Sequence, residues 1–148
     1  MQVGIVVRNL AEAIERYEGT IGIGPFNVLD FKPEKNFIRG RSGDDMYLRI
    51  GTAELTPGWS LELIEVAGGE PYHKDFLTKY GEGVQHLGFI TDEYDEVLGR
   101  ADALGIPILM SAECDVAGMG HVRAAYLDTH EIAGVLYEVI EVTAAESA

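Results

Sequence analysis

Cysteine is almost missing from this chain. Cys114 stands alone among 148 residues, which excludes an intrachain disulfide and any thiolate-rich metal centre, and fits a reducing compartment. Basic residues are scarce as well: 11 Lys and Arg face 25 Asp and Glu, a formal charge of −14. A surface of that sign repels phosphate backbones and anionic lipid, so nucleic-acid and membrane-surface roles are disfavoured. An anionic substrate would need a locally basic pocket, for which Arg39, Arg41, Arg49 and Arg123 are the candidates, although each reads first as a solvated surface residue. No apolar run approaches the roughly 20 residues of a membrane span, and no basic-then-apolar leader precedes the first strand-like residues. A cytoplasmic location is the expectation. Phosphate-cradling loops, dinucleotide fingerprints and nucleophile elbows are absent too.

What is present is a globular composition, 47% hydrophobic and 24% charged, in a length that suits one compact unit with a real core. The chain also says one thing twice. Gln2-Val3-Gly4-Ile5-Val6-Val7 leads into a helix-like stretch, and Leu61-Glu62-Leu63-Ile64-Glu65-Val66 closes that half. His86-Leu87-Gly88-Phe89-Ile90 then leads into a second such stretch, closed by Tyr137-Glu138-Val139-Ile140-Glu141-Val142. The openings align at an offset of 84 (86 minus 2) and the closings at 76 (138 minus 62). An internal repeat sets the architecture.

Within each copy the pattern reads strand, helix, then three strands. Asn9 and Glu12 stand in capping-box relation, and Leu10, Ala13, Ile14 and Tyr17 recur at helical spacing until Gly19 or Gly22. Asp92 is the matching cap, ahead of a stripe of Tyr94, Val97, Leu98, Ala101 and Leu104. Residues 32 to 45, rich in Lys, Pro, Gly, Arg and Asp, read as a mobile loop. Tyr72 to Tyr80 reads as a connector helix, and the tail from Thr143 to Ala148 as a fraying end. The expectation is a single α+β domain: module one 1–66, connector 67–84, module two 85–142, tail 143–148, with eight strands in all.

Two copies bring Gln2, Glu62, His86 and Glu138 as candidates for one shared cleft. Side chains alternate along a strand, so Glu62 shares a face with Ile64 and opposes Glu65, while Glu138 shares a face with Ile140 and opposes Glu141. Spacing alone leaves open which face is the cleft, and any single Glu reads first as a solvated one. Two carboxylates, one imidazole and one amide oxygen form a mixed O/N set suited to Zn, Ni, Co, Mn or Fe as divalent ions. His86, matched to Gln2 across the repeat, is weighed evenly between ligand and core residue. Gln2 is the weaker member, and His121 a minor pocket candidate. His73 and His130 read as exposed, and Cys114 has no base beside it in sequence.

The stretches Gln2 to Leu10, Gly22-Ile23-Gly24-Pro25-Phe26, Gly83 to Phe89, Ala125 to Thr129 and Gly134 to Glu138 resemble the vicinal oxygen chelate superfamily. Glyoxalase I, methylmalonyl-CoA epimerase, extradiol dioxygenases and bleomycin-resistance proteins belong to it. The resemblance covers nearly the whole chain. It implies paired βαβββ modules forming a U-shaped mixed sheet, with Gln2, Glu62, His86 and Glu138 as metal ligands and Glu138 as the base. It further implies isomerase, epimerase or lyase chemistry through a metal-stabilised enolate, on a small carbonyl or acyl-thioester substrate, commonly in a homodimer. The alternative is a metal-free binding protein of the drug-sequestering type. Ring cleavage is disfavoured, because extradiol dioxygenases carry His where Gln2 stands. The glutathione-binding positions of glyoxalase I hold Val6 and Val66, and the epimerase's additional Glu falls near Leu48 or Arg49.

Overall fold

Hydrogen bonding between the strands reproduces the repeat as a mirrored order. The computed structural model describes residues 1–43 and 45–144. Strand β1 (Gln2–Val7) leads into helix α1 (Leu10–Arg16), prolonged by a π turn over Tyr17–Ile21. Asn9 caps α1 as its spacing predicts, its Oδ1 accepting the Glu12 N–H at 3.1 Å while its amide donates to the Glu12 carboxylate at 3.2 Å. Gly22, at φ 76, ends the turn. The first half continues with β2 (Asn27–Phe31), a short hairpin of β3 (Lys35–Ile38) and β4 (Arg41–Ser42), then β5 (Tyr47–Thr56) and β6 (Trp59–Gly68). After α2 (Tyr72–Tyr80) come β7 (Gly83–Ile90), α3 (Tyr94–Ala103), β8 (Ile108–Val116), β9 (Gly120–Leu127), α4 (His130–Ala133) and β10 (Leu136–Thr143). Glu93, not Asp92, is the residue before α3, and its N–H is held by the Thr91 hydroxyl. Of the tail, residues 145–148 lie outside the described ones.

All ten strands form one sheet, in the order β2-β5-β6-β1-β7-β10-β9-β8-β3-β4. At its centre β1 and β7 run antiparallel, with β6 parallel to β1 and β10 parallel to β7. This is the mixed α+β sheet that was expected, with two strands more than the eight. The segment read as a loop at 32 to 45 contains β3 and β4. Its polar composition hides them because their partner is remote: β3 takes its ladder from β8, with Phe37 opposite Ser111. Local spacing carries no trace of such a pairing.

That hairpin also fixes the curvature. β2 lies at one edge and β3 beside the opposite one, yet only residues 32–34 separate them in the chain. Four Cα steps reach about 14 Å at most, so the sheet curls until its two margins nearly meet. Inside the curl, Met46, Leu48, Ile50 and Ile64 of the first half pack with Leu109, Met110, Ala112, Tyr126 and Leu136 of the second. Outside it, α1 covers Leu61 and Leu63, and α3 covers Ala125, Leu127 and Val139. No helix among the described residues is long and apolar enough to cross a membrane.

Candidate functional site

Two adjacent rows cross the concave face at the middle of the sheet. In one, Thr52, Glu62, Gly4, His86 and Leu136 stand side by side on five neighbouring strands. In the next, Ser60, Gln2, Gly88, Glu138 and Tyr126 do the same. Each candidate on a central strand faces a glycine: Gly4 opposes His86, and Gly88 opposes Gln2. The glycines are sterically required. A Cβ on Gly4 would overlap the His86 ring, and one on Gly88 would stand 2.6 Å from Gln2 Cγ and 2.9 Å from Glu138 Oε2. Because Gly88 is to Gly4 as His86 is to Gln2, the repeat builds a reciprocal exchange in which each large side chain lies over the other copy's glycine.

Gln2, Glu62, His86 and Glu138 therefore converge. The His86 Nε2 lies 3.4 Å from Glu62 Oε2 and 3.3 Å from Glu138 Oε2. The Gln2 amide donates to the same two oxygens at 3.2 and 2.9 Å. Donor atoms about 2.1 Å from a tetrahedral ion stand about 3.4 Å apart, so the imidazole already stands from each carboxylate at the separation that such an ion sets. Two further observations fit a cation. His86 Nε2 is buried with no hydrogen-bond partner, and the two carboxylates share one small space among largely buried side chains. A 180° turn of the Gln2 amide presents its oxygen where its nitrogen now points.

The strand that carries His86 is bulged. Gly4 opposes His86 but Ile5 opposes Val84, leaving Gln85 unpaired with β1. The bulge breaks the alternation of faces, and Gln85 Oε1 reaches His86 Nδ1 at 3.2 Å. An Nδ1–H donated to that oxygen leaves Nε2 as the lone-pair nitrogen, pointed at the carboxylates. Sequence spacing missed Gln85, because regular alternation puts it on the opposite face from His86.

A profile of the Glyoxalase/Bleomycin resistance protein/Dioxygenase superfamily matches residues 1–126. The chain belongs to this superfamily. Solved structures with the same fold include a hypothetical protein of Bacillus halodurans, at 20% identity and TM-score 0.64, covering 99% of this chain and 96% of that one. Methylmalonyl-CoA epimerase from Mycobacterium tuberculosis matches at 22% identity and TM-score 0.64, over 97% of this chain and 87% of its own. A variant of the Streptomyces coelicolor methylmalonyl-CoA epimerase with one substitution, in complex with 2-nitronate-propionyl-CoA, matches at 24% identity and TM-score 0.63, over 99% of this chain and 96% of its own. A comparison with curated proteins found no match. The superfamily's fold is thus shared almost end to end.

Burial decides the electrostatics of this superfamily member's cleft. Burial pushes the Glu138 carboxyl above the ordinary range; the His86 imidazole opposes that rise and the Glu62 charge adds to it. Burial pulls His86 down, but Glu138 and Glu62 outweigh it and the net direction is up. Tyr126, its ring 5.0 Å from that of His86 and nearly perpendicular, is pushed far up by burial and then by the charges of Glu138 and Glu62.

Other candidates fall elsewhere. His73, expected to be exposed, is fully buried: α2 turns it inward against His86 and Tyr126, at ring separations of 6.3 and 5.3 Å. A short helix between modules gave no sign of which face it buries, since polar Lys74 and Asp75 follow directly. Glu65 and Glu141 point away, Glu65 accepting the Leu10 N–H at the start of α1 and Glu141 pairing with Arg123. Arg39, Arg49 and Arg123 are taken by Asp75, Asp30 with Glu65, and Asp95 with Glu141. His121 pairs with Asp115, and Cys114 is buried in β8. Beside Gln2 and Gly88 the cleft opens into a cavity of about 460 Å³, whose lining includes Asn27, Thr52, Glu54, Trp59, Ile90 and Met119.

Proposed function

We propose that Gln2, Glu62, His86 and Glu138 hold one divalent cation, of the Zn, Ni, Co, Mn or Fe group, and that the protein is an isomerase, epimerase or lyase. Its substrate is a small molecule bearing a proton next to a carbonyl. The supporting observation is the convergence of the buried His86 Nε2, which makes no hydrogen bond, with one carboxylate from each half, at the distance from each that an ion would set. The bound ion would supply positive charge for substrate oxygens and for the enolate that forms.

The chain's own residues do the rest. The Glu138 carboxylate takes the proton, and burial raises its basicity above that of a free carboxylate. Gln2 on one side and Tyr126 on the other confine its carboxylate, so the proton can return to a neighbouring position or to the opposite face of the same carbon. Glu62 remains a ligand. His86 and Glu138 are themselves buried, which strengthens the electrostatic interactions between them.

Metal content of protein purified without chelator, followed by solvent-deuterium exchange into α-hydroxycarbonyl compounds and 2-substituted thioesters, tests the reading. Glu138→Gln should keep the fold and lose exchange by on the order of 10²–10⁴. Equal exchange by parent and variant would move the base to another residue. One observation favours a second reading, a metal-free binding protein: the Gln2 amide already donates to both carboxylates, offsetting their repulsion without an ion. Metal-free protein that exchanges no compound would select it. A homodimer and a cytoplasmic setting fit either reading.

A further inference from the structure

We infer that the substrate of this cleft is an uncharged carbonyl compound with a compact apolar substituent, and that a coenzyme A thioester is excluded by charge. The inference rests on the cleft's being the substrate site. It is carried by what surrounds the cavity beside Gln2 and Gly88 described above. The cavity wall there is apolar at Trp59, Ile90 and Met119, neutral and polar at Asn27 and Thr52, and acidic at Glu54. No lysine or arginine side chain lines it among the described residues. The one ammonium present is the Met1 α-amino group, and it donates to the Gly58 carbonyl at 2.9 Å.

Nor does the chain keep cations in reserve nearby. Arg16, Lys35, Arg39, Arg49, Lys74, Arg100 and Arg123 are paired with its own acids. Lys32 and Lys79 lie over Tyr47 and Tyr80. Arg8 follows the far end of β1, and six residues of strand put it about 20 Å from the opening. Arg41 sits on β4 at the sheet edge. A coenzyme A thioester carries a diphosphate and a further phosphate on its nucleoside. Those charges would meet Glu54 at the rim and the field of a chain of net charge −14. An uncharged compound meets no such barrier. Its polar end can face the carboxylate-imidazole cluster while its apolar end lies on Trp59, Ile90 and Met119.

Trp59 is the only tryptophan in the sequence and is 44% exposed at the opening, so its fluorescence reports occupancy without background. Three probes decide the matter: 2-hydroxyacetophenone, the propionyl thioester of N-acetylcysteamine, and propionyl-CoA. The two thioesters share one acyl group and differ in the phosphates. The neutral probes should give saturable signals lost in Trp59→Phe. Propionyl-CoA should bind about tenfold or more weakly than the short thioester at low salt, with the gap narrowing as salt screens the field. Propionyl-CoA binding as tightly as the short thioester would overturn the inference, and so would silence from both neutral probes. Repeating the titrations with chelator-treated protein and with His86→Ala separates the two claims. Retention of the charge preference there shows that it does not depend on a bound ion; an untreated parent that holds no metal and exchanges no compound, yet keeps the preference, sinks the catalytic reading and leaves this one standing.

Discussion

Replacing His73 with methionine should make the protein resist acid. Burial, with a smaller push from His86, lowers the His73 imidazole from 6.5 to about 3, so it is neutral in the folded chain over the working range. Once unfolded, the same side chain takes up a proton below its ordinary value. The unfolded state then binds more protons, and stability falls as pH drops from about 6.5 toward 3. With those two values the loss is under about 0.1 kcal/mol at pH 7.5 and about 2 kcal/mol at pH 5. Methionine carries no proton and fills a similar volume. It also removes two buried ring nitrogens that find no partner, so no hydrogen bond is lost at neutral pH. Urea unfolding followed by circular dichroism, with both proteins in chelator, measures the difference at each pH. The variant should gain about 2 kcal/mol on its parent between pH 7.5 and pH 5. Parallel losses in the two proteins over that window would show that His73 is charged or solvated in the fold, contrary to its packing.

His86→Ala should abolish stoichiometric metal binding, because the remaining donors are all oxygen; unchanged metal content by elemental analysis would remove His86 from the site. Gln2 should be the most replaceable member, with Gln2→His retaining metal at least as well as the parent; full metal affinity in Gln2→Ala would reduce the set to three. Gly4→Ala should displace the His86 ring, costing about 1–3 kcal/mol in denaturant unfolding together with metal affinity. Gln85→Leu should leave the fold intact but weaken metal affinity about 10–100-fold by releasing Nδ1, and Gln85→Glu should restore most of it as an acceptor. Equal affinity in parent and Gln85→Leu, measured by chelator competition, would confine Gln85 to packing.

What the sequence displayed follows from which forces act locally. The repeat exposed the module pattern because strand and helix periods are written in neighbouring residues. Parity along β6 and β10 separated Glu62 and Glu138 from Glu65 and Glu141 into opposite faces, though it did not say which face was inside. Three features were invisible because each depends on a remote partner. β3 owes its hydrogen bonds to β8, which follows some 70 residues later (108 minus 38). Gln85 reaches His86 only because a bulge against β1 breaks the alternation. His73 is buried because Tyr126 and His86 line the space into which α2 turns, a matter of tertiary packing on which a nine-residue helix is silent.

The seam between the two halves has a mechanical meaning. Gln2 and Glu62 come from before α2, and His86 and Glu138 from after it, so each half holds two of the four groups and neither can assemble the set. Two ladders join the halves, β3 with β8 and β1 with β7, and the second, interrupted by the bulge, is the joint that the four groups straddle. An ion gripped from both sides would act as a rivet through that joint. By linkage, the free energy of its capture would appear as resistance of the halves to separation. A chain cut within the connector would then feel the ion as the agent that brings its two pieces back together.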